Sequence, residues 1–148
     1  MRLPSSTLAL SATLALLNCG PPPEPAVAAT QEFLAAVGRF DCAAVWTYFS
    51  TDAQAYVEAK SAELIAQTPY RDENLMPQNL YCRQFLMYQR DTAVLKSQSV
   101  STAIVAVERY EADPKSFLIP GFWATRYNMF PEEIRMVQEA GTWKVVVP

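Results

Sequence analysis

From Ala26 onward the spacing of apolar positions divides the chain into a helical half and a β half. Val27, Thr30, Phe33, Leu34 and Val37 recur at steps of three and four, the period of one helix face, and Gly38 is placed to close that helix with a left-handed cap. Asp41 is an N-cap candidate for a second, short helix whose Cys42, Val45, Trp46 and Phe49 share one face. Thr51 followed by Gln54 has the form of a capping box for a third helix, with Ala53, Tyr56, Val57, Leu64 and Ile65 as its stripe. Residues 68–79 are polar and hold two prolines, which predicts a loop, and Cys82, Phe85, Leu86 and Gln89 predict one more helical stretch.

After Arg90 the texture changes. Residues 93–100 and 102–112 are rich in Val, Ile, Thr and Ser and predict two strands turning at Ser99 and Ser101. The unbroken run Ile104-Val105-Ala106-Val107 predicts a central strand covered on both faces. Residues 132–139 and 142–147 predict a second hairpin about Ala140-Gly141, with Trp143, Val145 and Val147 alternating toward a core. The expected class is α+β, N-terminal helices packed on a four-stranded antiparallel sheet.

Upstream, an apolar run from Thr7 to Leu17 is too short to span a bilayer and follows a single Arg2, the form of a secretory signal. It closes on Leu16-Leu17-Asn18-Cys19 and is followed at once by Gly20-Pro21-Pro22-Pro23-Glu24-Pro25. This resembles the lipobox of bacterial lipoproteins, with Leu16 three positions before the cysteine and Asn18 in place of the usual Gly or Ala. The resemblance implies removal of residues 1–18, acylation of Cys19, and membrane attachment through chains such as palmitate. The competing expectation is an ordinary signal peptide with an incidental Cys19. Residues 19–25 then form a proline-rich tether of roughly 20 Å in polyproline II geometry, and 26–148 form the domain.

Composition narrows the chemistry. Cleavage before Cys19 leaves 148 − 18 = 130 residues, enough for one core, and moves the formal charge from −3 to −4 because Arg2 is the only charge removed. No basic stripe meets phosphates, so no nucleic acid partner is expected. Histidine is absent, and no Cys-x-x-Cys, Gly-x-Ser-x-Gly or glycine-rich phosphate loop occurs; no metal, cofactor or catalytic group is expected. Besides Cys19 there are Cys42 and Cys82, an even pair that in an oxidising compartment pairs as a disulfide; two buried free thiols are the alternative.

Helices first, then four strands ending in Gly141-Thr142-Trp143-Lys144-Val145, resembles the nuclear-transport-factor-2-like superfamily, the cystatin-like roll, and within it a group of small bacterial lipoproteins. Phe33-Leu34, the break at Gly38 before Asp41 and the strand Thr102–Val107 carry the rest of the resemblance. It implies a strongly bent sheet with helices across its concave face, enclosing a cone that is filled or left as a pocket. The enzymes of that superfamily, isomerases and cyclases, keep Asp, Tyr or His inside the cone. Here Asp41 and Asp52 read as helix starters and Glu108 and Glu111 as strand-end surface charges, with Tyr48, Tyr56 and Tyr110 as conceivable donors.

Most distinctive is the connection from Ser116 to Phe130, which holds Phe117, Phe122, Trp123, Tyr127 and Phe130, five of seventeen aromatic residues. It either completes the core as a lid or forms a binding surface. The residues expected to meet a ligand or partner are Trp46, Tyr56, Tyr110, Phe122, Trp123, Arg126 and Tyr127. The expected function is a non-catalytic, lipid-anchored envelope protein, at the periplasmic face of the outer membrane, binding an apolar small molecule or an envelope protein. A cyclase- or isomerase-like enzyme and an inhibitor or immunity-type protein are the alternatives. Mass spectrometry of the membrane-extracted protein is expected to find residues 1–18 gone and acyl chains on Cys19, and Cys19→Ser to move the protein from the membrane to the soluble fraction.

Overall fold

The structure is a computed structural model that describes residues 23–112 and 127–147. The signal segment, Cys19 and the connection residues Phe122, Trp123 and Arg126 lie outside the described residues. The elements are α1 (Pro25–Gly38), α2 (Cys42–Tyr48), α3 (Thr51–Gln67), a 3-10 turn (Glu73–Leu75), α4 (Pro77–Leu80), β1 (Tyr88–Gln98), β2 (Thr102–Ala112), β3 (Tyr127–Glu139) and β4 (Thr142–Val146). The four strands form one antiparallel sheet in chain order, and the fold is α+β as the sequence predicts.

Pro25 opens α1 where its missing N–H costs nothing, and Ala26, Val27, Thr30, Phe33, Leu34 and Val37 turn one face inward. Thr30 is buried because its hydroxyl donates to the Ala26 carbonyl at 2.9 Å. The helix does not reverse at Gly38. Phe40 N–H bonds to Val37 O at 2.9 Å and Asp41 N–H to Ala36 O at 3.1 Å, a Schellman closure that puts the left-handed residue two positions later, at Phe40, with φ of 56°. A bulky side chain at that φ costs about 1–2 kcal/mol relative to a right-handed conformation. Asp41 then caps α2 by accepting from Ala44 N–H at 3.0 Å, as expected.

The cap of α3 is Ser50, one residue before the predicted Thr51: its hydroxyl accepts from Ala53 N–H at 3.1 Å, while Gln54 Nε2 donates to Trp46 O at 2.9 Å instead of closing a capping box. Glu139, 88 residues away, reaches the same helix start and accepts from Thr51 N–H at 3.0 Å and from Thr51 Oγ1 at 3.0 Å. Alongside, Phe49 pairs with Val145, Ser50 N–H donates to Val145 O at 2.9 Å, and Lys144 Nζ donates to Thr47 O at 2.7 Å. The α2–α3 corner is thus attached along the outer edge of β4.

The predicted loop 68–79 contains the 3-10 turn and α4, and the predicted helix at 82–89 is instead a chain of tight turns, bonded from Gln84 N–H to Tyr81 O and from Leu86 N–H to Arg83 O. Three-residue turns bring Cys82 and Phe85 both inward, which keeps the burial that the sequence pattern implied without an α-helix. Cys82 lies at disulfide distance from Cys42, with Cα atoms 5.3 Å apart. A bond closing this loop of about 41 residues contributes roughly 4 kcal/mol in the chain-entropy account.

In the sheet, β2 and β3 pair without a break from Thr102↔Val137 to Ala112↔Tyr127. β3 therefore begins five residues before the predicted start and takes in Pro131. β1 shifts register twice, and at the first shift the Thr92 hydroxyl accepts from Glu108 N–H at 2.8 Å and donates to Gln89 O at 2.7 Å. Ala103, Val105 and Val107 are buried, whereas Ile104 and Ala106 are half-exposed on the outer face, so the central strand is covered on one side only. β4 pairs only with Arg135–Glu139, and among the described residues Tyr127–Ile134 has no strand on that side. Pro131 sits there opposite Glu108, whose N–H points away toward β1, so the position without a donor faces the open edge. Ala140 and Gly141, with φ of 48° and 81°, make the closing turn.

Removing the Glu139 cap tests the corner. Glu139→Ala is expected to lower stability by about 1 kcal/mol, a fall of roughly 4 °C in Tm, read by thermal and urea unfolding.

Candidate functional site

Between helices and sheet the space is occupied by side chains. Phe33, Val37, Val45, Phe49, Val57 and Phe85 pack against Val105, Val107, Ile134, Met136 and Val145, and the Phe33 ring meets those of Phe85, Phe49 and Tyr48 at 5.0, 6.1 and 6.1 Å. The buried polar side chains are Thr30, Ser50 and Ser61, and among the described residues no buried side-chain nitrogen or oxygen lacks a partner. Ser61 donates to the Leu75 carbonyl. Among the described residues no carboxylate is buried: Asp41 and Asp52 are exposed at helix starts, Glu108 is half-exposed, and Glu111 is exposed. No group of three metal-ligating side chains occurs among the described residues.

The helix-covered face of the sheet does not end with the core. Side chains on one face of a strand recur every second residue, so the face lined by Ala103, Val105 and Val107 continues through Arg109 and Glu111. Tyr88 and Phe130 stand opposite Arg109 on the two neighbouring strands, which makes a row Tyr88–Arg109–Phe130 across the mouth of the sheet. Arg109 Nε donates to Glu132 Oε1 at 3.0 Å, a second guanidinium nitrogen lies 3.5 Å from Glu111, and the guanidinium carbon sits 5.8 Å from the Phe130 ring centre. Tyr88 stacks at 5.3 Å on Phe85, the last core ring. Burial raises the Tyr88 phenol above its ordinary 10.0; the Glu132 charge raises it further, and Arg109 opposes both.

This row offers an aromatic face, a fixed cation and two carboxylates within one span. Chemically, such a set offers hydrogen-bond donors, acceptors and ring faces side by side. The sequence reading singles out neither Arg109 nor Glu132; it considers only Glu108 and Glu111 there, as strand-end surface charges. The signal for Arg109 was present: extending the apolar alternation of Ala103, Val105 and Val107 by one step of two residues lands on it.

Of the predicted contact residues, the four that are described, Trp46, Tyr56, Tyr110 and Tyr127, lie on four different elements. Trp46 is half-buried, its ring 6.0 Å from Phe49, beside a depression of about 390 Å³ that Glu58, Met76 and Pro77 also line. Tyr56 is 47% exposed on α3, 6.5 Å ring to ring from Tyr81. Tyr110 lies on the outer face of β2, its N–H bonded to Met87 O at 2.8 Å. Tyr127 opens β3, paired with Ala112. Of the aromatic connection, Phe130 is in β3 and belongs to the mouth row. No protein-family model, curated protein or solved structure matches the chain.

A phenol whose pKa is higher folded than unfolded contributes stability that is complete below the unfolded value, about 10, and is lost as pH rises through the folded value. Urea unfolding between pH 9 and 11.5 is therefore expected to show an alkaline loss of stability that Tyr88→Phe partly removes, and Glu132→Gln is expected to bring the Tyr88 transition to lower pH.

Proposed function

We propose that this chain is a non-catalytic, lipid-anchored protein of the bacterial envelope, held at the periplasmic face of the outer membrane by acylated Cys19, that binds a protein partner at the mouth of its sheet. The proposal carries with it a nuclear-transport-factor-2-like roll, supported by helices that precede an open antiparallel sheet. One observation bears most of the weight: the helix-covered face is filled by side chains as far as Phe85 and Val107 and then presents the row Tyr88, Arg109 and Phe130. A filled interior favours a partner over an apolar small molecule. β2 and β3 run on three pairs beyond Arg109↔Phe130, to Ala112↔Tyr127, so the two strands carry this face past the row. Attachment is assigned to Cys19 on the lipobox resemblance alone; among the described residues no helix is long and apolar enough to cross a membrane.

A photo-crosslinking residue at Phe130 of the full-length protein in its own envelope is expected to give one discrete protein adduct, and the same residue at Val100 none. Arg109→Glu is expected to reduce the adduct by roughly tenfold, with Tm changed by no more than about 3 °C. Adducts to lipid alone, or equal adducts at both positions, refute the reading.

A further inference from the structure

Between the end of α3 at Gln67 and the core ring of Phe85, Cys82 is the one buried residue. The rest of that stretch, which holds the 3-10 turn, α4 and the first tight turns, lies exposed or half-buried on α2 and α3. Its backbone hydrogen bonds run between near neighbours, such as Asn79 N–H to Met76 O and Gln84 N–H to Tyr81 O, and so do not tie it to another element. Two side-chain bonds reach outside it: the Ser61 hydroxyl donates to Leu75 O, and the Tyr56 and Tyr81 phenols share a hydrogen bond. Met76 borders two depressions, of about 390 and 340 Å³, so the packing beneath this stretch is incomplete. A segment with so few buried contacts opens at lower cost than the core does.

A bond from Cys82 to Cys42 fastens this stretch at its only buried point. Cys82 is 1% exposed, whereas Cys42, the first residue of α2, is half-buried and is the sulfur that a reagent meets first. The layer beneath has its own attachments. Phe49, Ser50 and Thr51 are joined to Val145 and Glu139, and Thr47 to Lys144, and none of these contacts involves residues 68–84. Phe85 stays packed on Phe33 at 5.0 Å and marks where the stretch rejoins the core.

We propose that the Cys42–Cys82 bond is a redox latch: when a dithiol reduces it, residues 68–84 open as a unit while α1, α2, α3 and the sheet stay folded. One thiolate of the dithiol attacks the Cys42 sulfur, the Cys42–Cys82 bond breaks, and the electron pair leaves on the Cys82 sulfur. The second thiolate attacks the mixed disulfide and releases Cys42. The dithiol ends as its own disulfide, and its two protons end on the two cysteines. Opening bares Ser61 and the flank of Trp46, a face of α2 and α3 that the oxidised protein keeps under α4. The latch is independent of both the lipid anchor and the protein partner.

The test is amide hydrogen exchange on the full chain, oxidised and after treatment with dithiothreitol, with thiol titration following the bond. On reduction the amides of residues 75–84 are expected to exchange about tenfold faster, while those of α1, β2 and β3 stay within about twofold of the oxidised protein; reoxidation restores the first pattern. The double variant Cys42→Ala/Cys82→Ala is expected to show the reduced pattern without any reagent. Protection lost in all elements together, or unchanged at residues 75–84, overturns the proposal in either sample. So does a bond that the dithiol leaves intact in the folded protein, or titration that finds both thiols free from the start.

Discussion

The attachment of the α2–α3 corner to the closing hairpin is the constraint from which the other packing follows. Phe49 and Ser50 meet Val145 through backbone, Glu139 holds the start of α3, and Lys144 holds the end of α2. These contacts join residues 88 to 97 positions apart, so the last strand must arrive before the helices have a fixed seat. Once seated, the helices cover one face of the sheet, and Phe33 becomes the centre of a ring cluster with Tyr48, Phe49 and Phe85.

The same geometry explains why the mouth is polar. The helices end their cover near Phe85, while β2 and β3 run on together to Ala112 and Tyr127. A face that continues past its covering layer meets water, and Arg109, Glu132 and Glu111 are the residues found there. Phe130 and Tyr88 stay in the row because the guanidinium and Phe85 cover part of their rings. Charge and aromaticity coexist in that row through contacts that each residue makes with the next.

Much of this was legible in the residues, and the exceptions have physical causes. Helix periods at Val27–Val37 and Cys42–Phe49, the strand Thr102–Ala112 and the turn at Ala140-Gly141 are local patterns with strong preferences, and they appear where expected. The caps are short-range choices among neighbours, so Ser50 displaced Thr51 and Phe40 displaced Gly38 without any change of pattern. The inward pair Cys82 and Phe85 has the same spacing in a helix as in successive tight turns, and periodicity alone does not separate them. The predicted strand starts at residue 132 and leaves out Pro131, which is tolerated inside β3 because no ladder is formed on that side among the described residues. The mouth row needed strand register, a relation between residues 21 positions apart on either side of Arg109, which no single stretch displays.

Position 131 has a consequence for many copies crowded side by side. A bare strand edge is a template on which identical chains can stack into a fibre, each new ladder recruiting the next. With proline in the middle of the open stretch, the template lacks the donor that would complete its central rung. A second chain that pairs along that border meets the missing donor whatever its net charge.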